Sequence, residues 1–295
     1  MKISKNNIVF IAVAVLAYVL ILILLGYRGT ILIEWIGVQI GLIGMAISPI
    51  GEAVLRLIYG IKRVKINADK EKLLPLFEEV YRDIRKNESY HNTGIKLYID
   101  NSMSVNAYAV GSRTIAVTKG AIESLSDNQI KGLLAHEFGH IIHGDTLIPL
   151  ILIVGNMTLL ITFLVIKMIE AIFFMMESAM RGSNIISLIT KIILDVGLFL
   201  IVELIGILIM INQRKNEYNA DDFSFQNGYG GDLLEVLYIL NSIDMGGKVS
   251  LLERLKSSHP HINDRIARLE EKREREGSKR KKGQCSHFRH FRRNI

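Results

Sequence analysis

The pattern of greatest chemical promise in the chain is His136-Glu137-Phe138-Gly139-His140. Two histidines four apart on a helix project from one face, so both imidazoles can bind a single ion. Zinc suits neutral imidazole and needs no redox chemistry. Glu137, next to the first candidate ligand, can reach a water at the ion and accept its proton. A catalytic site of this kind needs a third protein ligand and an open position for water. The extended motif with a third histidine needs glycine at 143 and histidine at 146, where this chain has His143 and Thr146, and that class is excluded. Glu217 is the best candidate for the missing ligand. Asp221, one helical turn beyond it, could receive an N–H from a ligating histidine. From the residues alone, a solvent-facing carboxylate pair just outside a membrane helix accounts for Glu217 and Asp221 equally well.

These side chains need elements to hold them. Ser126 with Gln129 three residues on reads as a capping box that opens the HEFGH helix. Ile130, Leu133, Leu134, Phe138 and Ile141 give that helix a buried face, and Gly144 is its expected C-terminal stop. Three short β-type stretches precede it, 95–100, 105–110 and 114–118, separated by Asn-Ser and Gly-Ser turns. Before them, Leu73, Phe77, Val80 and Ile84 mark an amphipathic helix that Asp69 could cap. Helical patterns recur at 232–243 and 263–275.

The chain has 295 residues, 49% of them hydrophobic, and the apolar residues are unevenly spread. Residues 7–25 form an uncharged apolar run, longer than a signal-peptide core and without a small-residue cleavage site. Further runs lie at 31–50, 147–169 and 185–211, the last interrupted by Lys191, Asp195 and Glu203. Each is long enough to span a bilayer, although a core helix competes for the fourth. Lys/Arg in the flanks place both termini and the catalytic segment on the cytoplasmic side of a multi-pass plasma-membrane protein. One cysteine, Cys285, excludes an intrachain disulfide and a cysteine-rich metal site. The net charge of +7 resides in the segment from Glu271 onward. A basic patch confined to a tail argues for a solvated segment beside anionic lipid rather than for nucleic acid, and no nucleic-acid partner is expected.

Several separate stretches, in order, resemble the HtpX-like membrane zinc metalloproteases, relatives of the CaaX prenyl endopeptidases. They are HEFGH with Gly144-Asp145, Glu217 to Asp221, Val105-Asn106-Ala107-Tyr108, and Ser258-His259-Pro260 with Arg265. The resemblance implies that Glu217 is the third zinc ligand and Asp221 its supporting residue. It further implies that Asn106 lies on the strand pairing with substrate backbone and that His259 helps stabilise the tetrahedral intermediate. His261 is the nearby substitute for His259, and His143 reads as a helix-end residue.

The expected protein is therefore an α+β integral membrane protein, mostly helical. It has about four transmembrane helices and a cytoplasmic zincin-like domain with a small β-sheet. Its parts are an N-terminal transmembrane hairpin (1–60), a catalytic part with the HExxH helix (61–146), a second hairpin (147–211), a catalytic part with the third ligand (212–276) and a basic tail (277–295). One zinc per chain, catalytic Glu137 and His259, and membrane-protein substrates in quality control complete the reading. Ligands close to both hairpins put cleavage near the membrane surface. The rivals are a CaaX-type prenyl-protein endopeptidase, a non-catalytic membrane scaffold, and a transporter or channel subunit.

Overall fold

The computed structural model describes residues 28–63, 67–87, 94–147, 211–243 and 260–291, with isolated positions between 12 and 23 and between 164 and 196. The expected spans at 7–25, 147–169 and 185–211 lie largely outside the described residues. Within them, helix α1 (Gly29–Ile47) is long and apolar enough to cross a membrane, with a mean hydropathy of 1.8. The expected run to residue 50 is not one helix. Ser48 leaves helical geometry, its hydroxyl accepts the N–H groups of Ile50 and Gly51, and Pro49 starts a second helix, α2 (Pro49–Ile58). Proline is at home there, because an N–H at the first helical position has no partner to lose.

A two-residue strand β1 (Lys62–Arg63) follows, then α3 (Asn67–Asn87), β2 (Lys96–Asp100), β3 (Ala107–Val110), β4 (Thr114–Thr118), the short α4 (Lys119–Ser124) and α5 (Asp127–His143). Asp69 sits in the first turn of α3 and does not cap it. Helical residues 211–226, called α6, are followed by α7 (Gly230–Ile243) and α8 (Ile262–Phe291). The basic segment expected as a tail is thus helical as far as Phe291. Its Lys and Arg residues are good helix formers.

The sheet runs β1-β2-β4-β3. β2 lies parallel to β4, and β3 is antiparallel to β4, with Ala109 opposite Ile115. This leaves β3 at an edge. One core joins Leu73, Phe77, Val80 and Ile84 of α3 to the inner faces of β2 and β4 and to α5. Phe138 lies fully buried in it, stacked on Tyr81 with ring centroids 5.4 Å apart. A second cluster ties Leu233 and Leu237 of α7 to Ile266 and Leu269 of α8.

Two glycines on α5 let neighbouring helices approach its backbone. A Cβ on Gly132 would stand 2.5 Å from Leu233 N of α7, and one on Gly139 would stand 3.1 Å from Ala220 Cα of α6. The glycine inside HEFGH therefore sets how close α6, the helix carrying Glu217, can come.

Candidate metal centre

α5 is built as its residues dictate. Ser126 and Gln129 form the reciprocal capping box, and Gly144 ends the helix at φ 72°, a left-handed conformation that glycine adopts freely. His136, Glu137 and the core side chains are all buried, so the helix is held on several sides. A close packing of α6 then brings Glu217 to the two histidines.

The Nε2 atoms of His136 and His140 are 3.2 Å apart. Glu217 Oε2 is 3.4 Å from the first and Glu217 Oε1 is 3.6 Å from the second. Donors held tetrahedrally about 2.0–2.1 Å from one ion stand roughly 3.3 Å from each other. The three side chains converge on one point and could hold a metal ion. The outward nitrogens support this reading. His136 Nδ1 lies 3.0 Å from Asp221 Oδ1, and His140 Nδ1 lies 3.4 Å from Asp145 Oδ2. A carboxylate behind each ring fixes the tautomer that leaves Nε2 free to donate its lone pair inward.

Arg265 of α8 closes the site from behind. It donates from Nε and Nη2 to the two oxygens of Asp221, at 2.9 and 2.6 Å, and its Nη1 is 3.1 Å from Glu217 Oε2. Burial alone would raise the Asp221 carboxyl, but Arg265 and the His136 ring hold it below its ordinary value. Glu137 is 5% exposed, and burial raises its carboxyl above the ordinary value although both histidines oppose the shift. The backbone of Ala109 on β3 also faces this carboxyl and opposes the rise. A carboxylate whose basicity is raised by burial beside a metal position is suited to general-base work.

The ladder with β4 fixes the orientation of β3. Thr118 N–H donates to Asn106 O on the β4 side. By the alternation of an antiparallel ladder, the backbone groups of Ala107 and Ala109 face away from β4, toward the cleft. Asn106 itself lies just before β3. Its N–H donates to Thr118 Oγ1 and its side chain is exposed. His259 lies outside the described residues, while Pro260 and His261 line the cleft. His261 is engaged at the start of α8, where its Nδ1 accepts the Asn263 N–H. His143 packs edge-on against Phe223 at the end of α5, away from the donor triangle.

Asp145, and the bridging position of Arg265, carried no role in the residue-by-residue reading. Asp145 sits five residues past His140, just beyond a helix stop, and a signal for it exists only once Gly144 turns the chain back. Arg265 lies on a distant helix and has no local signal.

A buried His-His-Glu donor set with a raised glutamate beside it, under the edge of a small sheet, is the framework of a metal-dependent peptidase. Residues 74–273, more than half the chain, match Peptidase family M48, and the chain belongs to that family. The Protease HtpX homolog of Leptothrix cholodnii is 28% identical over 186 residues, which cover 56% of this chain and 62% of that protein. Protease HtpX of Alcanivorax borkumensis is 29% identical over 197 residues, covering 57% and 62%. Protease HtpX of Chromohalobacter salexigens is 27% identical over 236 residues, covering 71% and 74%. The chain spans less than two thirds of the length of the first two relatives. The crystal structure of S. mikatae Ste24p shares the fold, with a TM-score of 0.53 at 18% identity, covering 86% of this chain and 62% of that one. The resemblance drawn from the motifs is borne out: the chain is an HtpX-like member of family M48.

Proposed function

We propose that this chain is a membrane zinc metalloendopeptidase that hydrolyses peptide bonds of membrane proteins at the cytoplasmic face, in protein quality control. The observation that carries the reading is the donor triangle of His136, His140 and Glu217 with the Glu137 carboxylate beside it and the outward edge of β3 above. Zinc fits the nitrogen and oxygen donor set, and when bound it would polarise a scissile carbonyl and acidify an attacking water. Glu137 takes the proton from that water and returns it to the leaving amine. Asp221 and Asp145 hold the two rings in register, and Arg265 offsets the buried charge of Asp221 and Glu217.

Substrate backbone adds to the sheet along Ala107 and Ala109, where the outward carbonyls offer main-chain hydrogen bonds. Asn106 stands at the mouth of that edge. His259 is the proposed second donor to the developing oxyanion. Placement at the membrane is supported by α1 and by the distribution of Lys and Arg around the apolar runs.

Proteolysis and metal analysis of the purified full chain test this together. Glu137→Ala is expected to keep the metal and lose cleavage of an unfolded protein such as casein. Wild-type cleavage by that variant would remove the proposed base. Comparing a misfolded membrane protein with a farnesylated CaaX peptide separates this reading from a prenyl endopeptidase.

A further inference from the structure

The helix α2 is amphipathic in reverse. Pro49, Ile50, Ala53, Val54, Leu57 and Ile58 share one face, and every one of them is exposed. Leu57 is 81% exposed and Ile58 71%, whereas Glu52 on the opposite face is 3% exposed. A helix on the surface of a water-soluble domain buries its apolar stripe and shows its charges. Here the charges turn inward, and the arrangement is specific. Glu52 Oε1 accepts the N–H of Arg113 at 3.2 Å and the hydroxyl of Thr114 at 2.6 Å. Arg56, one turn on, lies 3.5 Å from Glu52 Oε1 and donates to Thr114 Oγ1 at 3.0 Å. The polar face is thus keyed to the turn between β3 and β4, and among the described residues the apolar face has no protein partner.

We propose that α2 lies in the plane of the lipid bilayer surface, with its apolar face sunk into the boundary between headgroups and acyl chains. Three further observations select lipid as the occupant. First, α2 continues directly from α1, the helix apolar and long enough to span. Second, its 10 residues reach about 15 Å, half of a hydrocarbon core of about 30 Å, so it cannot cross a second time. Third, the segment that follows brings Tyr59, then Lys62 and Arg63, all exposed, which are the residue types favoured at an interface with anionic headgroups.

The placement has a consequence for the site. Ile50 and Val54 of the lipid-facing stripe also line the cavity of about 1590 Å³ that holds His136, Glu137 and Glu217. The cleft therefore opens at the bilayer surface, and the Glu52 contacts hold the substrate-pairing edge at a fixed height above it. A segment leaving the bilayer meets β3 without first crossing open water.

This proposal rests on the reading of the chain as a membrane protein, and the test keeps the two apart. In a Cys285→Ser background of the full chain, single cysteines are placed by Ala53→Cys, Leu57→Cys and Ile58→Cys. Val38→Cys on α1 and Glu123→Cys on α4 serve as controls. These side chains are exposed, so a fluorophore displaces no packed group. Labelled protein is reconstituted in vesicles of phosphatidylethanolamine and phosphatidylglycerol. Quenching is measured with iodide in the water and with lipids brominated near the headgroup or near the chain end.

Labels at 53, 57 and 58 should be quenched several-fold more by headgroup-proximal bromine than by iodide, and the label at 123 the reverse. Iodide quenching at 57 and 58 as strong as at 123 overturns the proposal. If position 38 is still lipid-quenched, the membrane reading stands without it, and if position 38 also faces iodide, both fall. Quenching at 57 and 58 by chain-end bromine makes α2 part of a span, and shielding from both quenchers means a protein covers the face. Either result overturns the proposal.

Discussion

Beside the ligand candidate Glu217, two helices bury a glutamate more deeply, Glu52 on α2 and Glu137 on α5, at 3% and 5% exposure. Glu52 is surrounded by donors: a backbone N–H, a hydroxyl and a guanidinium. Glu137 has no side-chain donor of that kind, its nearest charged neighbours are the two imidazoles, and burial raises its carboxyl. Burial of a carboxylate is thus common to an anchor and to a candidate base. A carboxylate with its lone pairs satisfied holds elements together, and one left under-satisfied beside a donor triangle is positioned to exchange a proton.

Exchanging the carboxyls for amides should separate the two most sharply. Glu137→Gln should lower kcat by about 10²–10⁴ with metal content unchanged. Glu52→Gln should leave kcat within a few-fold and lower stability by about 1–3 kcal/mol, the cost of a buried polar group losing its matched partner. Steady-state kinetics beside chemical denaturation checks both. Equal loss of kcat in the two variants would erase the distinction.

The carboxylates behind the rings come next in size. Asp221→Asn and Asp145→Asn should each weaken metal affinity by about 10–100-fold, measured against a competing chelator. Asp221 should give the larger loss, because it is 1% exposed and also fixes Arg265.

The metal-free site should bind with a definite pH dependence. Burial disfavours charge on His136, but hydrogen bonds to Asp221 and Glu217 outweigh it, and the ring is pushed up to about 9 from 6.5. A folded value above the unfolded one stabilises the metal-free protein fully below pH 6.5, and that stability is lost as pH rises through about 9. Metal must displace the same proton, so apparent affinity should climb by up to about tenfold per pH unit in that window and then level off. Competition titrations at several pH values read the slope.

The smallest effects concern helix approach. Gly132→Ala forces a methyl against the α7 backbone and should destabilise by about 1–3 kcal/mol. At Gly139 the nearest contact is 3.1 Å against 2.5 Å at Gly132, so Gly139→Ala should lose less stability. It should lose proportionately more metal affinity, since it moves the helix bearing Glu217. Thermal unfolding with and without metal compares them.

Much of the centre was legible before the fold. The capping box, the helix stop at Gly144, the buried face of α5 and the strand at 114–118 follow from local chemistry, and the structure has all of them. Other features depend on tertiary partners. Lys62 and Arg63, among the basic residues flanking the apolar run at 31–50, form a strand because β2 offers an unpaired edge. Alternation does not name a partner, so the parallel pairing of β2 with β4 was not readable. The break at Ser48 left only a serine-proline pair inside an apolar run. Arg265 and Asp145 stood in the motifs, but their roles became visible only when α8 and the turn after α5 were folded against the site.

The central claim is that Glu217 completes a metal centre begun by HEFGH. Metal analysis of purified full-length protein tests it most directly, on wild type, Glu137→Gln, His136→Ala and Glu217→Ala. About one zinc per chain is expected in the first two, with loss of both metal and cleavage in the others. A Glu217→Ala protein that binds zinc and cleaves like wild type would contradict the account.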